Sequence, residues 1–364
     1  MIQIDSYEAI DHFVQQGESF ALWRVPGEEH IHFRSRKSAS PCLLYDIKDL
    51  NERSGFVIAP FQVTREHPIV LIEPEQPEIS FEENADFLRM KFEFPSEEMK
   101  FSSEENEKEE YAHRFSLFTQ PLLKGGQDKL VLSRHTRIQR KATFSPAKAF
   151  LYAAKRYIRS YVYLCHTPTT GTWMGSTPEI LLSGEKGDWH TVALAGTQNL
   201  RAGNLPKNWD HKNWMEQQLV ASYIQRQLST LGIDSKEQGP YAVRAGEVAH
   251  LKSDFHFSLP DVRKIGDVLK LLHPTPAVCG LPKEEAYRFI LSNEGYDRSY
   301  YSGFIGWLDP NGKTDLYVNL RCMNISPTTF TLYAGGGLLA ASRLEDEWQE
   351  TEDKLDTMRR LIYI

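Results

Sequence analysis

The sequence has no Lys/Arg-rich block, no run of about 18 apolar residues, no Cys-x-x-Cys pair, and no repeat or low-complexity tract. Each absence removes a class of function. Without a basic block, and with a net charge of −7, nucleic acid is not expected as a partner. Without a long apolar run, no membrane-spanning helix is expected. The opening MIQIDSYEAIDHF lacks a basic region followed by an apolar stretch, so no signal peptide is expected and the location is taken as cytoplasmic. The four cysteines, Cys42, Cys165, Cys279 and Cys322, are scattered and have no histidines at zinc spacing. They read as reduced structural thiols, with a redox or nucleophilic role left open for Cys279. What remains is a chain of 364 residues with enough apolar side chains for a sizeable core, organised as one large domain or two.

Residues 1–115 carry strand-like runs, FALWRV, CLLYDI and PIVLIEP, but no chemical signature. The Glu-rich stretch over 82–110 is expected to be a solvated hairpin or excursion. From 116 to 364 the pattern is mixed. Ser145-Pro146 supplies a helix cap followed by proline at the first helical position, and further helices are expected over 210–232, 263–272, 283–292 and 343–362. Strands are expected at SYVYLCH, EILLSGE and WHTVALAG, and DLYVNLRCMNI and TFTLYAG should pair antiparallel across SPTT. Clustered strands with few helices between them predict an α+β fold: two large stacked antiparallel β-sheets with helices packed outside. Residues 1–115 would be the variable N-terminal part of that unit and 116–364 its catalytic region.

Five separated blocks carry the candidate chemistry: KLVLSR around Lys129, GSTPEILL around Glu179, ALAGT ending at Thr197, HPTPAVCG from His273, and the C-terminal VNLRCMNIS, TLYAGGG and EDEWQETEDKL. On the helix from Asp210, Glu216 falls on the stripe of Leu219, Val220, Tyr223 and Ile224, which places a carboxylate on the buried face. A buried carboxylate needs a cation, a metal or hydrogen bonds. On the last helix Glu347, Glu350 and Lys354 share one side, equally compatible with a surface Glu–Lys ladder. Two inward carboxylates from distant helices suit Mg²⁺, which takes oxygen ligands from one or two carboxylates plus an anionic substrate. Gly335, Gly336 and Gly337 would let backbone N–H groups approach an anion, or would simply bend the sheet. Lys129 on a strand, Glu179 at a turn edge and His273 before Pro274 are, singly, ordinary surface or core residues.

Together the blocks resemble the chorismate-utilising enzymes, and among these the isochorismate synthases, over about residues 120–364. GSTPE is similar to the family's G-[SA]-[ST]-P-E, ALAGT to LAGT, HPTPAVCG to HPTPA-x-x-G, and EWQETEDK to E-x-x-E-T-x-x-K; YSGFIGWLDPNG, LRC and AGGG match as well. The resemblance implies Lys129 as the base that activates water and Glu179 as the acid beside the departing hydroxyl. It implies Glu216 and Glu350 as Mg²⁺ ligands with Glu347 in support. Tyr301, Arg321, Lys354 and Gly335–Gly337 would hold the two substrate carboxylates, with Gly196, Thr197, His273 and Ala277 lining the pocket. Ala195 stands where relatives with a covalent step carry Lys, and Ala277 where relatives that also expel pyruvate carry Thr. The implied reaction is therefore chorismate to isochorismate, for menaquinone or siderophore synthesis, with salicylate synthase as the alternative and a monomer expected. The sequence departs from the family at QNLRAGN after LAGT, and at Gln217, where His is usual.

Overall fold

The computed structural model describes residues 2–4, 7–36, 40–74, 79–81, 105–200, 204–245, 248–259 and 261–363. Among these residues two large sheets dominate, both antiparallel throughout. One has eight strands in the order Gly280–Leu281, Lys129–Gln139, Thr329–Leu338, Cys322–Ile325, Gly171–Thr177, Tyr161–Thr167, Ser19–Arg24, His32–Arg36. The other has nine: Ser235–Ala245, Val248–Phe257, Asp188–Asn199, Ile180–Glu185, Thr314–Val318, Phe304–Leu308, Gly55–Ala59, Ile69–Ile72, Cys42–Leu44. The N-terminal strands thus pair into both sheets, and position 115 falls inside a helix, Glu105–Leu123.

The sheets face each other across an aromatic layer. Trp23, Tyr163, Trp173 and Tyr333 from the first sheet meet Phe56, Ile58, Ile305 and Tyr317 from the second. Large rings each bury roughly 150–250 Å², so this layer supplies much of the force that stacks the sheets. Helices Tyr7–Gln16, Pro146–Arg156 and Leu344–Ile362 cover the outer face of the eight-stranded sheet. Helices His211–Thr230 and Ile265–Leu272 cover the other sheet, and no helix among the described residues is long and apolar enough to cross a membrane.

The capping signals act as expected. Ser145 Oγ accepts from Lys148 N at 3.1 Å, and Asp210 Oδ1 accepts from Asn213 N at 2.8 Å. Two expectations need correction. Residues 82–104 of the acidic stretch lie outside the described residues, but from Glu105 onward it is helix, not hairpin. Glu105 and Glu107 occupy the first turn, where the helix dipole favours acids, and Tyr111, Phe118 and Leu122 form the buried stripe. The run DLYVNLRCMNI is not one strand. It divides into Thr314–Val318 in the nine-stranded sheet and Cys322–Ile325 in the eight-stranded one. Between them Asn319 leaves the ladder to accept from Tyr163 Oη at 2.5 Å and donate to the Tyr300 carbonyl at 2.9 Å. Arg321 turns the chain with a φ of 44°. The second half pairs with Thr329–Leu338 across SPTT as expected.

Candidate active site

Lys129 begins its strand fully buried, and the strand's neighbour brings Gly335, Gly336 and Gly337 opposite Ser133, Leu132 and Val131. The missing side chains are what admit the charged groups. A Cβ on Gly336 would stand 3.0 Å from Glu347 Oε2 and 3.4 Å from Glu350 Oε1. On the other face of the strand, a Cβ on Gly335 would stand 2.9 Å from Tyr301 Oη, and one on Gly337 would strike Glu216 Oε1 and Lys129 Cε. Gly337→Ala is therefore expected to displace both the Lys129 ammonium and the Glu216 carboxylate. A shift of that kind costs about 100-fold in rate; kcat/KM against an unchanged far-ultraviolet circular dichroism spectrum measures it.

Lys129 Nζ lies 3.0 Å from Glu216 Oε1. Glu179, just before strand Ile180–Glu185, is buried and lines the same cavity as Glu216. Thr275 Oγ1 donates to its Oε1 at 3.2 Å. Burial pushes the Glu179 carboxyl up to about 7, against the opposing pull of Thr275, Lys129, Arg321 and Lys354. It can therefore carry a proton near neutral pH.

The cationic wall of the cavity is built where the two sheets exchange chain. Arg321 Nη2 donates to His250 Nε2 at 2.8 Å. That contact leaves the ring proton on Nδ1, which faces the Gly196 carbonyl and Thr197 Oγ1, each at 3.2 Å. Burial, then Arg321 and Lys354, keep His250 neutral, its pKa well below the ordinary value. Gly196 sits at a bulge with φ 71°, and a Cβ there would be 2.7 Å from the Asn213 carbonyl. Helix His211–Thr230 fixes the bulge, because Asn213 Oδ1 accepts from Thr197 N at 2.8 Å. Gln217 Oε1 accepts from Ala195 N at 2.9 Å, and its Nε2 donates to the Ala193 carbonyl at 3.1 Å. Tyr301, Ala277 and Lys354 also line the cavity. Lys354 Nζ also donates to the Gly335 carbonyl at 2.8 Å and to Glu350 Oε1 at 2.5 Å.

Glu216, Glu347 and Glu350 approach one another from two helices. Among the described residues no three His, Cys, Asp or Glu side chains form a ready metal cluster; lysines hold the glutamates instead. Burial would raise Glu216 and Glu350, but Lys129 and Lys212 keep the first, and Lys354 and Lys212 the second, below the usual carboxylate value. Two features nevertheless fit a hard divalent cation: an all-carboxylate donor set, and Glu347 Oε2, buried without a hydrogen-bond partner beside the space that Gly336 leaves open.

The family model described as chorismate binding enzyme matches residues 68–363. The chain belongs to the chorismate-binding enzymes. The enzyme is similar to isochorismate synthase DhbC of Bacillus subtilis, at 29% identity over 65% of this chain and 63% of that one. It is also similar to isochorismate synthase MenF of Escherichia coli, at 31% over 68% and 58%, and to the salicylate biosynthesis isochorismate synthase of Pseudomonas aeruginosa, at 31% over 64% and 50%. The matches thus span half to just under two-thirds of these curated relatives. The fold is that of a solved DhbC from Bacillus anthracis, TM-score 0.77 at 22% identity over 98% of this chain and 100% of that one. The E. coli MenF structure gives 0.75 at 21%, over 98% and 92%.

The structure brings Glu179, Gly196, Thr197, Glu216, Ala277, Tyr301, Arg321, Gly335, Gly337 and Lys354 to one cavity. Lys129 stands directly behind Glu216 and Gly337, while Glu347 and Glu350 line an adjoining cavity that shares Thr197. His273 is not among the residues that line either cavity. Its ring packs edge-on against Phe304, 5.2 Å between centroids, and its Nε2 lies 3.3 Å from the Phe61 carbonyl, so it closes the core beneath the HPTPA turn. Cys279 is buried, its thiol pushed up to about 12 by that burial, and it is not among the residues that line the cavity. Sequence reasoning missed His250 and Thr275. Thr275 lay inside a motif already in hand. His250 was findable only through the cross-strand register Thr197↔His250.

Proposed function

We propose that the enzyme converts chorismate to isochorismate in a Mg²⁺-dependent reaction, as a cytoplasmic monomer whose product serves menaquinone or siderophore synthesis. One observation carries the reading: a buried carboxyl poised near pH 7, Glu179, lines a cavity walled by Arg321, and the buried Lys129 stands behind that cavity against its Glu216. The substrate is a dianion, and the Arg321 wall with the backbone of Gly335–Gly337 suits its two carboxylates. Water adds to ring carbon 2 and gives a proton to Lys129. The double bonds shift along the ring, and the hydroxyl on carbon 4 departs as water with the proton of Glu179. One water enters and one leaves, so the product is an isomer. Lys129 can accept that proton only as a neutral amine, released from its ion pair with Glu216. Glu216, Glu347 and Glu350 would hold the metal, which when bound neutralises the ring carboxylate and fixes its position.

The test is a chromatographic product analysis of protein with chorismate, with Mg²⁺ and with EDTA. Isochorismate formed reversibly, only with Mg²⁺ and without pyruvate, supports the proposal; salicylate plus pyruvate replaces it with the salicylate synthase reading. Ala277 lines the cavity with a bare methyl. Ala277→Thr places a hydroxyl there and is expected to raise pyruvate release severalfold, read by a coupled lactate dehydrogenase assay. Unchanged product ratios would remove Ala277 as the residue that restrains elimination.

A further inference from the structure

Lys212 has a place in this site that neither the reaction nor the substrate accounts for. It stands four residues before Glu216 in the first turn of helix His211–Thr230. Its ammonium lies 3.0 Å from Glu347 Oε1 and 3.6 Å from Glu216 Oε2, bridging carboxylates of two helices far apart in sequence. A second cavity reaches the same point, lined by Lys212, Glu347 and Glu350 within and by Asp210, Asp346 and Asp353 further along.

Resting on the reading of Glu216, Glu347 and Glu350 as metal ligands, we propose that Lys212 is a resident counter-ion which the divalent cation displaces. Lys212 holds Glu347 by Oε1 while Oε2 is left without a partner, and a divalent cation on that second oxygen would face the ammonium across one carboxylate group, where like charges repel strongly. Lysine suits the exchange: it is a compact point charge on a flexible four-carbon stem. Once displaced, the ammonium turns along the cavity towards Asp210, Asp346 and Asp353. Without metal, Lys212 compensates Glu347, which would otherwise be buried and uncompensated, since Lys129 holds Glu216 and Lys354 holds Glu350; an uncompensated buried charge is costly. With metal, its eviction weakens the apparent affinity and keeps the ion exchangeable.

The experiment is Mn²⁺ binding to wild type and Lys212→Met, followed by the free-ion electron paramagnetic resonance signal. The variant is expected to bind Mn²⁺ at least about tenfold more tightly. It should also melt lower than wild type in EDTA and gain more in Tm from saturating Mg²⁺. Equal or weaker Mn²⁺ binding by the variant, with normal binding by wild type, overturns the role of Lys212 alone. Absence of Mn²⁺ binding by both proteins overturns the metal reading beneath it. Should the variant not fold, amine labelling of native protein decides. Lys212 is expected to label severalfold faster with Mg²⁺ than with EDTA, and an unchanged or slower rate overturns displacement.

Discussion

Glu179→Gln is expected to lower kcat for isochorismate formation by about 10²–10⁴-fold, the usual worth of a positioned proton donor, with the fold intact. Gln keeps the shape and can still meet Thr275, so what is lost is the transferable proton. The pH dependence follows from the shift. Burial raises this carboxyl from 4.5 to about 7, with Thr275, Lys129, Arg321 and Lys354 pulling the other way. With Glu179 as the proton donor proposed above, the working form would be the protonated one, so kcat/KM should fall as pH rises through about 7, and this alkaline limb should vanish from the residual activity of the variant. A variant that keeps the limb would assign it to another group. Stability gives a second, independent reading. The folded state retains a proton that the unfolded chain has lost, so this group's contribution is present below 4.5 and is lost as pH rises towards about 7. Gln does not titrate. Urea midpoints for the variant should therefore slope less steeply over that window than those of wild type.

The helices and the chemical blocks were legible because their signals are local. Ser145-Pro146 and Asp210 cap helices through contacts only three residues away, and the apolar stripe beside Glu216 needs nothing beyond its own helix. The stacked antiparallel architecture followed from the density of strands. What escaped depends on pairing across long separations. Nothing in the alternation of DLYVNLRCMNI marks Asn319–Arg321 as the point where the chain changes sheets, yet that passage aims Arg321 at His250. The latter lies 71 residues away along the chain. The glycine run looked like either an anion nest or a bend. The structure adds what approaches it: Glu347 and Glu350 on one face, Glu216 and Lys129 on the other. His273 shows the opposite case: within a chemical motif its ring packs against Phe304, while Thr275 two residues on meets the Glu179 carboxyl. The lysines that occupy the carboxylate cluster were half visible. Lys354 was seen beside Glu350 on one helix, but Lys212 reaching across to Glu347 was not.

Lys129→Ala is expected to reduce turnover at least about 10³-fold, while Mg²⁺-dependent chorismate binding by titration calorimetry stays within a few-fold of wild type. Removing one partner of a buried ion pair ordinarily costs about 3–5 kcal/mol. Here Glu216 keeps Lys212 at 3.6 Å, so the loss of stability should fall below that range and the variant should fold. Alanine alone cannot separate two roles for Lys129, taking a proton from water or holding Glu216 in place. Lys129→Arg separates them, because a guanidinium retains the positive charge against Glu216 but does not give up its proton in proteins. If Lys129 is the base, Arg should recover much of the metal-free stability lost in the alanine variant and remain as inactive. If the lysine acts only by positioning the carboxylate, Arg should recover activity together with stability, and the base must then be sought elsewhere in the cavity. His250 would be a poor substitute, since burial and Arg321 hold it neutral while its Nε2, the acceptor nitrogen, is already occupied by Arg321. With His250 so engaged, the arginine variant is the substitution that decides whether Lys129 takes the proton.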